Sequence, residues 1–314
     1  MRFIFIIAVV CVATITAATG ASDPPSQQPH IIVLGTAQDG GYPQAGCHKD
    51  CCKPAWEDPT RRRFVSCIAI VDPASQERWI IDATPDFRDQ LRLLDESFPV
   101  TAKPGINGVF LTHGHIGHYA GLVHLGREVM GTKTIPVYAM PRMIAFLENN
   151  GPWDQLIRLN NISLRPLEDG AAVKLNERIT ITPFMVPHRD EYTETVGYRI
   201  DGPSKSVIYI SDIDKWDRWD VSIVDLISQV SRAYLDATFY EEGEIPGRNM
   251  VDIPHPFIEE SMHLFDGLPA GEKSKIHFIH FNHSNPLLDR NSEAFRRVED
   301  AGYHVAEQLE VFNL

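Results

Sequence analysis

Three histidines, His113, His115 and His118, stand within six residues of one another after a short apolar run. The segment reads Leu-Thr-His-Gly-His-Ile-Gly-His. Residues 108–111 read as a buried strand, and the glycines of the segment favour a turn after it. Neutral imidazole is the commonest metal ligand. Three surface histidines in a loop are the plainer alternative, but this density of histidines at a strand end favours a metal site.

Further residues of metal-binding type follow later apolar runs. His188, Asp212 and His280 each stand at the C-terminal end of a predicted strand. In layered α/β folds, functional sites gather at that edge of a sheet. A single histidine after a strand is more often structural, so the ordered series carries the argument rather than any one member.

The order of these residues resembles the metallo-β-lactamase superfamily. Its motif is His-x-His-x-Asp-His, followed by a distant histidine, an aspartate and a histidine. The resemblance implies an α/β fold, the αββα sandwich, in which two packed sheets carry helices on their outer faces. It also implies two neighbouring metal ions bridged by Asp212. The other ligands that it implies are His113, His115 and His188 for the first metal, and His118 and His280 for the second.

Gly117 is the one departure from that motif, because it stands where the motif has its aspartate. The glycine removes one ligand and one negative charge from the second metal. We therefore expect partial occupancy of the second site. A Gly117→Asp substitution should raise its affinity, unless position 117 has a positive φ, which costs a residue with Cβ about 1–2 kcal/mol.

Several segments also resemble one branch of the superfamily, the pyrroloquinoline quinone biosynthesis protein B family. In that branch the metal loop has lost its leading histidines and kept Asp-His. This chain instead keeps the leading histidines and lacks the aspartate. We interpret the chain as a relative with an intact hydrolase-type first metal site rather than as the biosynthetic protein itself. The segments are residues 33–44, 61–67, 81–88, 235–239 and 280–286.

A cysteine cluster near the N-terminus consists of Cys47, Cys51 and Cys52. The same branch, like the cyclic phosphodiesterase of phosphonate metabolism, binds structural zinc with a Cys-x-Cys-x-x-Cys cluster and a histidine three residues beyond the last active-site histidine. That position is His283 here, although the cysteine spacing differs. Four nitrogen and sulfur ligands would close a tetrahedral site. The alternative is a disulfide with Cys67 in an oxidising compartment; we favour zinc.

Residues 1–21 read as a secretory signal peptide, with a basic start, an apolar stretch too short to span a bilayer, and small residues after it. Residues 22–29 read as a linker and residues 30–314 as one metallo-β-lactamase-like domain. We expect a periplasmic or secreted protein without stable membrane insertion. The net charge of −13 disfavours nucleic acid as a partner. The sequence leaves the oligomeric state open.

The hydrophobic pattern predicts alternating strands and helices. Strands are predicted near 30–35, 64–71, 78–82, 107–111, 135–139, 178–186, 196–200, 206–211, 233–236 and 276–280. Helices are predicted near 86–95, 119–130, 141–149, 217–230, 256–265 and 291–301.

Together these observations predict a metal-dependent hydrolase that attacks an ester, phosphodiester, lactone or amide of a small molecule. The resemblance to the phosphodiesterase-like branch slightly favours phosphoesters among them. Asp212 would orient the nucleophile, and His255 would line the active site. We expect zinc, with one or two ions in the active site and one structural ion, and we keep iron and manganese as alternatives. A metal-dependent hydroxylase related to pyrroloquinoline quinone biosynthesis is the first alternative function, since such sites also suit iron. A non-catalytic metal-binding protein is the second.

Overall fold

Fourteen strands form two seven-stranded sheets in this computed structural model, which describes residues 27–314. The predicted signal peptide and most of the predicted linker lie outside the described residues. In pairing order, the strands of the first sheet are β14 (Val311–Asn313), β1 (His30–Gly35), β2 (Cys67–Asp72), β3 (Glu77–Ile81), β4 (Gly108–Phe110), β5 (Ile135–Ala139) and β6 (Ile162–Pro166). Those of the second are β13 (His304–Val305), β12 (Ile276–Ile279), β11 (Arg232–Asp236), β10 (Ser206–Ile210), β9 (Val196–Asp201), β8 (Thr180–Met185) and β7 (Val173–Lys174).

Helices lie on the outer faces of both sheets. The α-helices of the described residues are α1 (Lys53–Glu57), α2 (Phe87–Ser97), α3 (Ile116–Tyr119), α4 (Pro141–Asn149), α5 (Trp153–Arg158), α6 (Ile223–Ser228), α7 (Ile258–Phe265), α8 (Ala270–Lys273) and α9 (Glu293–Asp300). Buried side chains of α2, α4 and α5 pack on the first sheet, and those of α6, α7 and α9 pack on the second. Within residues 27–314, no helix combines the length and hydrophobicity that a bilayer crossing would need.

The central strands are apolar on both faces because each sheet lies between two layers. In β2, Ile68 and Ile70 pack in the core that the two sheets share. The alternate residues Ala69 and Val71 pack in the outer core, under the helices. A strand that is covered on both sides reads as a continuous apolar run rather than an alternating one. The αββα sandwich predicted from the sequence is confirmed.

Strand direction brings the candidate site residues to one end of the sandwich. In the first sheet β1, β3 and β4 run the same way, because β2 is antiparallel to β1 and β3, and β3 is parallel to β4. In the second sheet β8, β10, β11 and β12 share one direction for the same reason. The two edges meet where Gln38 N–H donates to the Phe281 carbonyl at 2.8 Å. The loops that follow these seven strands therefore converge.

Two predicted helices are shorter than the hydrophobic pattern suggests. The helix predicted near 119–130 is instead α3 followed by a 3-10 helix, Ala120–Leu125. Its backbone forms hydrogen bonds with the segment after β3: Gly121 N–H donates to the Ala83 carbonyl at 2.8 Å, and Ala83 N–H donates to the His118 carbonyl at 2.9 Å. The helix predicted near 217–230 begins only at Ile223, because the Ser222 side chain accepts from Asp225 N–H and caps it there.

Candidate metal centre

Asp82 and Thr112 fix the orientation of His113. The Thr112 hydroxyl donates to the buried Asp82 carboxylate, with Oγ1 2.9 Å from Oδ2. Because its one hydrogen is used there, Thr112 Oγ1 accepts the Nδ1–H of His113 at 3.0 Å. The Nε2 atom of His113 therefore carries a lone pair, and it lies 2.8 Å from Nδ1 of His115.

The loop after β8 carries His188 and holds His115 through Glu191. His115 Nε2–H donates to the Glu191 carboxylate at 3.0 Å, which leaves the lone pair on Nδ1. Neither buried ring nitrogen of His188 has a hydrogen-bond partner. Ligand atoms of His113, His115, His188 and Asp212 all lie within 4.8 Å of one another. Lone pairs that face one another repel unless a cation lies between them, so this set fits a metal ion.

Asp212 lies between two sets of ligand atoms. Its Oδ1 is 3.7 Å from Nε2 of His188. Its Oδ2 is 3.3 Å from Nε2 of His118 and 3.3 Å from Nε2 of His280. This second oxygen is buried and has no hydrogen-bond donor. One carboxylate oxygen therefore faces each set, which is the arrangement that a bridging ligand requires.

His118 and His280 also present lone pairs to the second set. His118 Nδ1–H donates to Asp82 Oδ2 at 2.7 Å. Thr238 gives its hydroxyl hydrogen to Asp236 at 2.7 Å, so it accepts the Nδ1–H of His280 at 2.9 Å. The Nε2 atoms of both histidines are thus left to bind a cation.

Asp39 is the residue of the second set that the sequence analysis did not identify. It lies on the turn after β1, with Oδ1 3.0 Å from Nε2 of His118 and 3.7 Å from Nε2 of His280. Ligand atoms of these three residues lie within 4.8 Å of one another. The signal was present in the sequence, because an acidic residue follows an apolar strand here just as Asp212 does.

His255 lies at the edge of the second set. Its Nδ1–H donates to the buried Asp236 carboxylate at 2.7 Å, which orients the ring. Ligand atoms of Asp212, His255 and His280 lie within 4.8 Å of one another. The structure thus brings together all the residues that the sequence analysis assigned to the active site.

Burial and charge in the centre shift several pKa values. Burial lowers the pKa of His188 to about 4, and burial also holds the pKa of His113 well below its usual value. Both rings are therefore neutral near pH 7, as ligation requires. Burial alone would lower the pKa of His118, but Asp212 and Asp82 outweigh it and raise that pKa well above the usual value. The negative potential at His118 favours any cation, whether a proton or a metal ion.

The backbone is strained where two of these residues leave their strands. Asp82 has φ 70° and His280 has φ 71°, the left-handed region that residues with a side chain rarely adopt. Such conformations cost of order 1–3 kcal/mol each and collect at functional sites. The surrounding hydrogen bonds hold both side chains despite that cost.

A separate set of ligand atoms lies where the N-terminal loop meets the loop after β12. Those of Cys47, Cys51, Cys52 and His283 are within 4.8 Å of one another, and all four cysteines of the described residues are free thiols. The Sγ atoms of Cys47 and Cys51 are 3.7 Å apart. A tetrahedral zinc site with Zn–S near 2.3 Å has S–S edges of about 3.8 Å, so the set fits zinc. Burial raises the pKa of Cys52 to about 12, and a bound cation would be needed to ionise that thiol.

Cys67 is not part of this cluster. Its buried thiol donates to the Asp82 carbonyl at 3.5 Å. The disulfide alternative therefore finds no support in the described residues.

The family relationship agrees with the fold and the centre. A family model described as the beta-lactamase superfamily domain matches residues 77–278, more than half of the chain. The chain therefore belongs to that superfamily. The matched range includes all residues of the two active-site sets except Asp39 and His280.

The branch predicted from the sequence segments is also matched. Coenzyme PQQ synthesis protein B of Xanthomonas oryzae pv. oryzae (strain MAFF 311018) is 28% identical over 307 residues, covering 88% of this chain and 97% of that protein. The protein of the same name from Methylorubrum extorquens (strain PA1) is 26% identical over 310 residues, with the same coverage. The predicted resemblance to this branch is confirmed.

Solved structures show the same fold at low sequence identity. Zn(2+)-bound PqqB from Methylobacterium extorquens has a TM-score of 0.76 and 24% identity, covering 91% of this chain and 100% of that one. A diphosphatase from the PhnP family has a TM-score of 0.65 and 22% identity, covering 91% and 97%.

The cysteine cluster gives the first testable prediction. Cys52→Ser should remove one zinc ion per chain and lower the unfolding midpoint by at least about 5 °C, since 1 kcal/mol shifts the midpoint of a chain this size by roughly 2–4 °C. Calorimetry and elemental analysis measure both effects. Thiol titration of the unfolded, unreduced, metal-free chain lacking residues 1–21 should find every one of its cysteines reactive. Two fewer thiols would show a disulfide instead.

Proposed function

We propose that this protein is a metal-dependent hydrolase of small molecules. The observation that carries the proposal is the position of Asp212, which directs one oxygen to His188 and places the other 3.3 Å from Nε2 of both His118 and His280. Together with His113 and His115, these residues form two adjoining sets of ligands with a shared carboxylate. Superfamily membership and the likeness to zinc-bound PqqB support zinc, and the same donors also suit iron or manganese.

The residues around the centre would divide the work of hydrolysis. A zinc ion, when bound, lowers the pKa of water to about 7 and polarises the scissile carbonyl or phosphoryl group. Asp212 accepts a hydrogen bond from the attacking water and orients it. His255 exchanges a proton with the substrate at Nε2, because its Nδ1–H is held by Asp236.

The substrate class follows from this chemistry and from the relatives. Esters, phosphodiesters, lactones and amides all present a polarisable oxygen at the scissile centre. The likeness to a diphosphatase of the PhnP family favours phosphoesters among them. The signal-peptide pattern of residues 1–21 supports a periplasmic or secreted location.

A metal-dependent hydroxylase connected with coenzyme PQQ synthesis is the second candidate. Similarity to the synthesis protein over 88% of the chain favours it. Protein purified without added metal would then contain iron and would consume oxygen with its substrate. Zinc content without oxygen uptake would favour hydrolysis.

The first set of ligands should control both metal binding and activity. His113→Ala and His188→Ala should each lose one active-site ion and reduce hydrolysis by more than the roughly 10- to 100-fold that loss of an outer hydrogen-bond partner costs. Elemental analysis and a screen of esterase, lactonase, amidase and phosphodiesterase substrates measure these effects. His263→Ala is the matched control, because the His263 side chain is 91% exposed on α7. Wild-type metal content in either variant contradicts the assignment. If the wild-type protein hydrolyses no substrate faster than these variants do, a non-catalytic protein is favoured.

His255 should affect proton transfer without affecting metal content. His255→Gln should lower kcat by about 10²- to 10⁴-fold, the usual contribution of general acid–base catalysis. Asp236→Asn should also lower kcat, since Asp236 orients the His255 ring. If His255→Gln instead removes an active-site ion, His255 is a ligand and not a proton carrier.

A further inference from the structure

The second set of ligands has a carboxylate that comes from an unexpected part of the chain. We propose that Asp39, on the turn after β1, supplies the second-metal ligand that the superfamily motif places at position 117. The inference rests on the proposed function in that both require a metal ion at His118 and His280. It reverses the expectation that Gly117 leaves this site incomplete.

The hydrogen-bond pattern around His118 shows that Asp39 needs a cation beside it. His118 Nδ1–H is used by Asp82 at 2.7 Å, so Nε2 of the neutral ring has no hydrogen. That nitrogen nevertheless lies 3.0 Å from Asp39 Oδ1. Two acceptors at this separation repel, and either a second proton on the ring or a metal ion between the atoms removes the repulsion.

Distances within the set favour the metal ion. Asp212 Oδ2 is 3.3 Å from each histidine Nε2, and Asp39 Oδ1 is 3.0 Å from His118 and 3.7 Å from His280. A tetrahedral zinc site with bonds near 2.0–2.1 Å has ligand–ligand edges of about 3.3 Å. A proton on His118 would explain the two contacts of that ring but neither contact of His280, whereas one tetrahedral ion accounts for all four.

Asp39 fills the space that a side chain at position 117 would need, so the position of Asp39 requires a glycine at 117. A Cβ on residue 117 would lie 2.5 Å from Asp39 Oδ1 and 2.7 Å from both Cα and Cγ of Asp39. Gly117 lies in α3 and has no positive φ, so its backbone conformation is open to any residue. Space rather than backbone strain excludes a side chain at 117.

Backbone hydrogen bonds hold Asp39 in place. Gln38 N–H donates to the Phe281 carbonyl and Phe281 N–H donates to the Thr36 carbonyl, both at 2.8 Å. The turn closes with Gly41 N–H donating to the Gln38 carbonyl at 2.7 Å. Since Phe281 directly follows His280, the loop that carries Asp39 is tied to the strand end that carries another ligand of the set.

Zinc titration against a competing chelator tests the proposal with a readout independent of activity. Asp39→Asn keeps the size of the side chain and removes its charge. The substitution should lower the zinc affinity of one active-site position by more than about 100-fold, which is the upper end of the loss expected when a hydrogen-bond partner of a ligand is removed. The zinc affinity of the other position should not change. Asp300→Asn, the same chemical change at an exposed position of α9, should bind zinc like the wild type. Gly117→Ala should reproduce the Asp39→Asn loss by displacing the carboxylate.

The outcomes separate this inference from the proposed function. If the wild type binds two active-site ions and Asp39→Asn keeps both affinities, Asp39 is only an ion-pair partner of His118 and the inference is overturned while the hydrolase proposal stands. If the wild type binds zinc at the cysteine cluster alone, both fail. Circular dichroism and retention of the cluster zinc verify that each variant is folded.

Discussion

Two buried carboxylates, Asp82 and Asp236, orient four of the histidines in the centre. Each stands at the end of a central strand, one in each sheet, and each is paired with a threonine. Asp82 with Thr112 orients His113 and His118, while Asp236 with Thr238 orients His255 and His280. Both carboxylates also accept backbone N–H groups, from Thr112 at 2.8 Å and from Ile213 at 3.0 Å, and so fix the loops themselves. Without these outer acceptors the rings could rotate, and their lone pairs would no longer converge.

The same arrangement leaves buried polar atoms unsatisfied by protein groups. Both nitrogens of His188, Nε2 of His280 and Oδ2 of Asp212 are buried without a hydrogen-bond partner. A buried unsatisfied polar group costs about 1–3 kcal/mol, so the fold tolerates a substantial penalty at one point. Such a concentration is expected where a cation completes the bonding, and binding of that cation would then stabilise the folded state.

Prediction from the sequence succeeded where a residue of metal-binding type follows a strongly apolar strand. His113, His188, Asp212 and His280 follow apolar runs, and parallel strand directions bring such residues together. The four edge strands β6, β7, β13 and β14 were not predicted, because they are partly exposed and show no clear alternation. The carboxylates of Asp82 and Asp236 also follow strands, but their role depends on which histidine nitrogen they contact, and no spacing rule encodes that.

The exchange between Gly117 and Asp39 shows why a motif is an incomplete guide to a site. A motif records which chain segment usually delivers a ligand, whereas the ion responds only to the atoms around it. Here the segment after β1 reaches the same point as the segment after β4, because the two strands run in the same direction in one sheet. A carboxylate can therefore move from one loop to the other, provided that the vacated position becomes small enough to admit it. On this argument an acidic residue after β1 and a glycine at the motif position should be interpreted together, as one feature of the site.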